Sequence, residues 1–216
     1  MSEAETPSNS PKIIRLLFAE LPRLKAASPA IFLDRDGVIN EKVTDGYVTR
    51  WSEFRFLPGV IDVLASLSQL EFPIIVISNQ ACVEKGLMDT SALTDLTIGF
   101  VSRLRRAGAR VDAVYYCPHR PETGCSCRKP QAGLLEAAAA DWSLDLKRSI
   151  VVGDSITDVA AAHSVGARAV LLDPAGALSG ELPDTASVRK ISDVPVWAHR
   201  FLSAACNREH VECVTE

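Results

Sequence analysis

The sequence of 216 residues lacks features that would assign it to several classes of protein. Its longest apolar runs, such as 74–77 and 137–140, are too short to cross a bilayer. It has no excess of positive charge, because its formal net charge is -4, and dedicated nucleic-acid-binding proteins are usually basic. The first residues lack the charged-then-apolar pattern of a signal peptide, and no phosphate-binding GxxxxGK[ST] motif of P-loop kinases is present. We therefore expect a cytoplasmic monomer that binds neither membranes nor nucleic acids.

The composition is that of an ordinary folded protein. Hydrophobic residues make up 47% of the chain, and its length suits one domain. We expect residues 1–29 to be a partly disordered N-terminal extension, in which spaced apolar residues predict a short helix over 12–25, interrupted by Pro22. Residues 30–205 form the predicted domain, and 206–216 form a C-terminal tail.

Short apolar runs alternate with longer helical patterns along the predicted domain. The runs, which predict strands, are 30–33, 73–77, 111–116, 149–152 and 168–172. The helical patterns are 59–70, 89–107, 131–141 and 157–165, with a further helix near 194–205. Strands without polar alternation are typical of a parallel sheet that is buried on both faces. The order of elements therefore predicts an α/β domain with a doubly wound, Rossmann-like parallel sheet.

Polar residues follow the predicted strands at their carboxyl ends, where ligands bind in such a sheet. They are, in chain order, Asp34, Asp36, Ser78, Lys129, Asp154 and Asp158. Several carboxylates around one cleft repel each other unless a divalent cation lies among them, and Mg²⁺ binds such oxygens together with a substrate phosphate. One carboxylate can then attack phosphorus while another gives a proton to the leaving group. The hydroxyl and the ammonium group can offset the charge of the transferred phosphoryl group.

Each of these residues alone has a simpler explanation. An Asp after a strand is more often a helix cap or a turn residue than a catalyst, and a single Lys is usually a solvated surface charge. The prediction of a phosphoryl-transfer site depends on the four motifs that contain them appearing in order, each directly after a predicted strand.

Three of the six cysteines lie close together, and a histidine lies among them. Cys117, His119, Cys125 and Cys127 offer three thiolates and one imidazole, a common structural set for Zn²⁺ that leaves no open position for water. Disulfides are an alternative that fits poorly with the Cys-Ser-Cys spacing, and free thiols beside a surface histidine are another. We predict a structural zinc loop that orients the two cations directly after it.

These motifs together resemble the haloacid dehalogenase (HAD) superfamily of phosphatases. FLDRDGVIN, VISNQ, CRKP and VVGDSITD resemble its four motifs, and the likeness extends over about residues 30–173. Within the superfamily the chain is most similar to the D,D-heptose 1,7-bisphosphate phosphatases, through DGYV and YCPHRPETGCSCRKP. The resemblance implies removal of the 7-phosphate in the biosynthesis of nucleotide-activated heptose. The spacing of the motifs leaves no room for a separate cap domain.

The resemblance also implies roles for individual residues. Asp34 matches the nucleophile, Asp36 the general acid and base, and Ser78 and Lys129 the residues that hold the phosphoryl group. The implied Mg²⁺ ligands are Asp34, Asp36 and Asp154, and Asp158 is a supporting residue that orients Lys129. The implied substrate-binding residues are Arg35, Gly46, Tyr47, Asn79, Gln80, Arg128 and Ser155.

Two segments depart from the family pattern where the sugar is expected to bind. They are the residues after Gln80, over 81–86, and a longer loop over 40–46. A histidinol-phosphate phosphatase therefore stays an alternative, because it shares the catalytic motifs and a similar zinc loop. A zinc-stapled interaction module without catalysis is the alternative from another class, although every motif residue is intact.

Overall fold

The computed structural model describes residues 12–21, 27–178 and 185–207. Strands within these ranges form one sheet, and they are β1 (Ile14–Leu17), β2 (Ile31–Leu33), β3 (Ile74–Asn79), β4 (Ala113–Cys117), β5 (Ile150–Gly153), β6 (Arg168–Leu172) and β7 (Thr185–Val188). Their order across the sheet is β1-β4-β3-β2-β5-β6-β7. All neighbours are parallel except β1 and β4. The predicted α/β architecture with a mainly parallel sheet is confirmed.

Helices cover both faces of this sheet. They are α1 (Val60–Ser68), α2 (Thr90–Arg106), α3 (Gly133–Trp142), α4 (Ile156–Ser164) and α5 (Val194–Asn207). One core contains side chains of α1, α2 and α5 and one set of strand residues, whereas the other contains those of α3 and α4 and the alternate set. The strands and helices predicted from residue 30 onward are confirmed, within a few residues at their ends. None of the described helices is long and apolar enough to cross a membrane.

The N-terminal segment differs from its prediction. Residues 14–17 form the edge strand β1, antiparallel to β4, instead of a helix. The sheet therefore begins before residue 30, the expected domain boundary. Pro22 and residues 1–11 lie outside the described residues, as does the tail from residue 208.

The register of the sheet aligns its central strands side by side. Leu33 of β2 lies opposite Val76 of β3 and Val152 of β5. The residues that follow these strands therefore meet at one edge, as the parallel arrangement predicts. Between β2 and β3 the chain forms a short turn at Trp51–Glu53 and then α1, with no inserted cap domain, as expected.

Candidate active site

Three aspartates converge at the carboxyl edge of the sheet. Oxygens of Asp34, Asp154 and Asp158 lie within 4.8 Å of one another. Asp34 directly follows β2, and the other two frame the start of α4, after β5. Since neighbouring parallel strands are about 4.8 Å apart, this proximity follows from the central positions of β2 and β5.

Lys129 reaches into this cluster from the loop before α3. Its ammonium nitrogen lies 2.8 Å from Asp34 Oδ1 and donates to Asp158 Oδ1 at 2.5 Å. It also donates to the backbone carbonyl of Ile77 at 3.2 Å. Burial opposes the charge of Lys129, but the two carboxylates raise its pKa above the usual value. The prediction that Asp158 orients Lys129 agrees with this contact.

The cluster has the properties of a divalent cation site. Burial raises the pKa of Asp34 to about 7, Asp158 and Asp36 add to this effect, and Lys129 opposes it. Asp154 Oδ1 is buried and has no hydrogen-bond partner within the described part of the chain. A hard cation would relieve both problems by binding the oxygens and neutralising the carboxylates. Asp34 and Asp154 are therefore the residues that fit Mg²⁺.

A glycine allows the first loop to approach the cluster closely. Gly37 has a φ of 95°, and a Cβ there would lie 2.1 Å from Asp154 Oδ2. A side chain at this position would displace the carboxylate as well as strain the backbone. The Gly of the DRDGVIN motif is thus required by the position of Asp154.

Asp36 lies outside the carboxylate cluster because other residues hold it. Arg35 donates to both of its oxygens at 2.9 Å, Asn40 donates to Oδ1 at 2.8 Å and Gln80 to Oδ2 at 2.7 Å. Burial opposes ionisation, but Arg35 and the two amides hold the pKa of Asp36 below its usual value. This network turns the Asp36 carboxylate away from the cluster to other partners, and its expected role as a third Mg²⁺ ligand stays a prediction.

Two predicted substrate-binding residues, Arg35 and Gln80, are buried and contact Asp36. Arg35 is 0% exposed, and its guanidinium group lies over the Tyr116 ring, 5.8 Å from the centroid, while it holds Asp36. Gln80 is also 0% exposed, and its amide joins Asp36 to Ser78 Oγ. Neither side chain is accessible to a sugar. Both donate hydrogen bonds to the Asp36 carboxylate.

Other predicted substrate-binding residues make contacts within the protein but keep some exposure. The Asn79 side chain donates to the carbonyl of Lys129 and accepts from its backbone N–H, so it holds that loop. The Ser155 hydroxyl donates to Asp158 at the start of α4. Gly46 is exposed, and the half-buried Tyr47 ring lies 5.1 Å below the Lys85 ammonium. Their contacts with substrate stay predictions.

The cysteine cluster forms as predicted, directly after β4. The atoms of its four residues lie within 4.8 Å of one another. His119 Nδ1 is 3.3 Å from Cys117 Sγ and 3.1 Å from Cys127 Sγ, and Cys125 Sγ is 3.6 and 3.5 Å from the same two sulfurs. Tetrahedral bonds of about 2.0–2.3 Å to one zinc ion would separate such ligand atoms by roughly 3.5–3.8 Å. The donor set and its spacing therefore fit Zn²⁺.

The zinc loop is tied to the segment that follows Gln80. Glu84 accepts from the backbone N–H of Arg120 and from the Thr123 hydroxyl, the latter at 2.7 Å. Arg128 donates to the carbonyl of His119 at 3.1 Å, so the loop also orients this cation. The segment over 81–86, which departs from the family pattern, thus supports the loop.

Two residues of the site were not found from the sequence. Asn40 is buried and holds Asp36, and its position four residues later within DRDGVIN was an available signal. The Lys42 ammonium lies 2.8 Å from Asp154 Oδ2. Burial opposes the charge of Lys42, but its hydrogen bond to Asp154 raises its pKa above the usual value. Nothing in the sequence distinguishes Lys42 from a solvated surface lysine.

Comparison with known proteins agrees with this site. A family model described as HAD-hydrolase-like matches residues 126–183. The D-glycero-beta-D-manno-heptose-1,7-bisphosphate 7-phosphatase of Vibrio cholerae is 34% identical over an alignment of 184 residues, and the match covers 81% of this chain and 98% of that protein. The enzyme of the same name from Photorhabdus laumondii is 36% identical over an alignment of 141 residues, and the match covers 62% of this chain and 74% of that protein.

A solved structure of similar fold contains magnesium and phosphate. The D,D-heptose 1,7-bisphosphate phosphatase of B. bronchiseptica, crystallised with magnesium and phosphate, has a TM-score of 0.74 and 32% identity, covering 80% of this chain and 98% of that chain. A putative HAD-like phosphatase of Mesorhizobium loti has a TM-score of 0.77 and 27% identity, covering 91% and 96%. This chain belongs to the HAD superfamily and, within it, to the family of D,D-heptose 1,7-bisphosphate phosphatases.

Proposed function

We propose that this enzyme removes the 7-phosphate of D-glycero-β-D-manno-heptose 1,7-bisphosphate, as a step in the biosynthesis of nucleotide-activated heptose. The observation that carries the proposal is that the two carboxylates of one motif, Asp34 and Asp36, have different surroundings. Asp34 lies beside Lys129 among the metal-binding carboxylates, and Asp36 is held apart from them. The names of the similar enzymes supply the sugar and the β anomer.

In the first step, Asp34 attacks phosphorus and the bond to the leaving oxygen breaks, which gives an aspartyl-phosphate. Mg²⁺ held by Asp34 and Asp154 would neutralise charge on the phosphoryl oxygens and reduce repulsion between them and the nucleophile. Lys129 supplies a second, fixed positive charge beside Asp34. Ser78 Oγ accepts from Gln80, so its own proton is left to donate to a phosphoryl oxygen.

Asp36 moves the protons of both steps. Its network keeps it ionised in the resting protein, and the negative charge of an arriving phosphate favours its protonation. It then gives that proton to the leaving alkoxide of the sugar. In the second step it takes a proton from the water that attacks the aspartyl-phosphate, and phosphate leaves.

The zinc loop has a structural role in this proposal, because its four ligands leave no position for water. It holds Arg128 and Lys129 in place before substrate binds, which lowers the entropy lost on binding. The three cysteines of the zinc loop and Cys82 are free thiols, as zinc binding requires of its ligands, and a reducing compartment keeps them so. We therefore propose a cytosolic enzyme.

Steady-state phosphate release from both heptose bisphosphate anomers and from histidinol phosphate tests the proposal. We expect the highest kcat/KM with the β anomer, no release without Mg²⁺, and loss of turnover in a folded, zinc-loaded Asp34→Asn variant. Faster hydrolysis of histidinol phosphate would replace the assigned substrate. If no phosphomonoester is hydrolysed in the presence of Mg²⁺, the catalytic proposal fails and the non-catalytic zinc module takes its place.

A further inference from the structure

Lys42 brings a second ammonium group to the carboxylate cluster from the solvent side. It lies in the loop over 40–46 and is 57% exposed at its side chain, whereas its partner Asp154 is only 15% exposed. The loop is fixed just before Lys42. Asn40 is buried on Asp36, and the backbone N–H of Glu41 donates to the carbonyl of Arg55 at 2.8 Å. The backbone therefore places Lys42 at the mouth of the site, while its long side chain keeps its freedom.

The charges explain why this lysine can change partners. When all three carboxylates are ionised, they face two ammonium groups, Lys129 and Lys42, and the metal-free cluster then has one net negative charge. Lys129 is buried between Asp34 and Asp158, and if it moved away both carboxylates would lose their ion-pair partner. Lys42 is tied only to Asp154 among its described ion-pair partners, and Asp154 is a carboxylate that fits Mg²⁺. A cation bound there weakens the attraction of Asp154 for Lys42.

We propose that Lys42 is a substrate-contacting residue that rests on Asp154 in the metal-free protein and moves to the anionic oxygens of the phosphorylated substrate when Mg²⁺ takes that carboxylate. The inference rests on the proposed Mg²⁺-dependent phosphatase function and adds a residue to it. A phosphate dianion entering the mouth of the site is the nearest new partner for the released ammonium group. Lys42 thus provides an attraction for substrate that the buried Lys129 does not provide at the entrance.

Metal and phosphate binding test this role without turnover. In zinc-loaded Lys42→Met protein free of substrate, we expect calorimetric titration to show about two- to fivefold tighter Mg²⁺ binding, because an exposed ion pair worth up to about 1 kcal/mol no longer competes. With Mg²⁺ saturating, inorganic phosphate should bind about tenfold more weakly to this variant. The Lys42→Arg variant should recover phosphate binding, since it keeps the charge.

The matched control is Lys147→Met, which removes the same charge from an exposed position in the short turn Leu146–Arg148, before β5. It should bind both Mg²⁺ and phosphate like the unmodified protein. Unchanged Mg²⁺ affinity in Lys42→Met, or unchanged phosphate affinity, overturns the proposal. With heptose bisphosphate as substrate, KM should rise about tenfold while kcat changes little. If that sugar is not hydrolysed, the assigned substrate fails, but the two binding titrations still decide the role of Lys42.

Discussion

The buried pair of Arg35 and Asp36 gives a sharp test of the site's electrostatics. Replacing Arg35 by Met leaves the carboxylate with the amides of Asn40 and Gln80 as its described donors. Breaking a buried ion pair typically costs about 3–5 kcal/mol. Because the Asp36 side chain is 22% exposed and keeps those two donors, we expect the lower end, about 3 kcal/mol.

Urea unfolding of the zinc-loaded protein measures this loss. With an m value of about 2 kcal/mol/M, the midpoint should fall by about 1.5 M. The control is Arg50→Met, which removes an ion pair of the same kind, Arg50 Nε to Glu53 Oε1 at 2.8 Å, but with Arg50 71% exposed. Its midpoint should hardly change. Adding Asp36→Asn to Arg35→Met should recover part of the loss, because no charge is then left unpaired. Equal midpoints for the two Arg→Met variants would refute the reasoning.

Three further predictions concern the metals and the cluster. Gly37→Ala should weaken Mg²⁺ binding more than tenfold in calorimetry, because its Cβ would lie 2.1 Å from Asp154 Oδ2. The control is Gly86→Ala, which is also at positive φ but has open space around it and should not weaken Mg²⁺ binding. Equal effects of the two substitutions would mean that backbone strain alone is responsible. Without Mg²⁺, the raised pKa of Asp34 stabilises the folded protein at low pH. This stabilisation is complete below 3.8, the pKa of Asp34 in the unfolded chain, and is lost as pH rises through its folded-state pKa of about 7. Urea midpoints should therefore show a loss of about 1 kcal/mol between pH 6 and 7.5 that saturating Mg²⁺ removes, and a loss that persists with Mg²⁺ would contradict this assignment. Cys127→Ser should lower both the zinc content and the melting temperature and reduce kcat at least tenfold. Full turnover in zinc-depleted protein would contradict the role of the zinc loop in positioning Arg128 and Lys129.

The central part of the fold was predictable, and its edges were not. Buried parallel strands are continuous apolar runs, so β2 to β6 are visible in the sequence. The edge strand β1 alternates between half-buried and exposed residues, and its apolar spacing also suits a helix. Only its antiparallel pairing with β4 decides the conformation, and that contact is not local. The strand β7, with the weakly apolar sequence TASV, was missed for a similar reason.

The site was predictable in its membership but not in the direction of its side chains. The order of motifs after the strands brought Asp34, Lys129 and Asp154 together correctly, and the cysteine spacing gave the zinc cluster. A match to family motifs identifies which residues surround a site. It does not tell whether a polar side chain there faces the substrate or contacts a neighbour, so the contacts of Arg35 and Gln80 with Asp36 were not predictable from the motifs.

The pleat of the strands holds information about those directions. Successive side chains point to opposite faces, and Ile31 and Leu33 belong to the core under α1 and α2, whereas Phe32 belongs to the core under α3. Continued past the end of β2, this alternation places Arg35 on the side of Leu33, where it meets Tyr116. It places Asp34 on the side of Phe32, toward the zinc loop and Lys129.

The same alternation applies to β3. Val76 lies in the first core and Ile77 in the second, so Gln80 falls on the side of Arg35, and Asn79 falls on the side of Lys129. The two faces of the sheet thus divide the site into a carboxylate-holding network and a phosphoryl-binding cluster. For Asp34, Arg35, Asn79 and Gln80, parity with the preceding strand therefore predicts which of the two groups each residue contacts, whereas Ser78 shares the parity of Gln80, which donates to it.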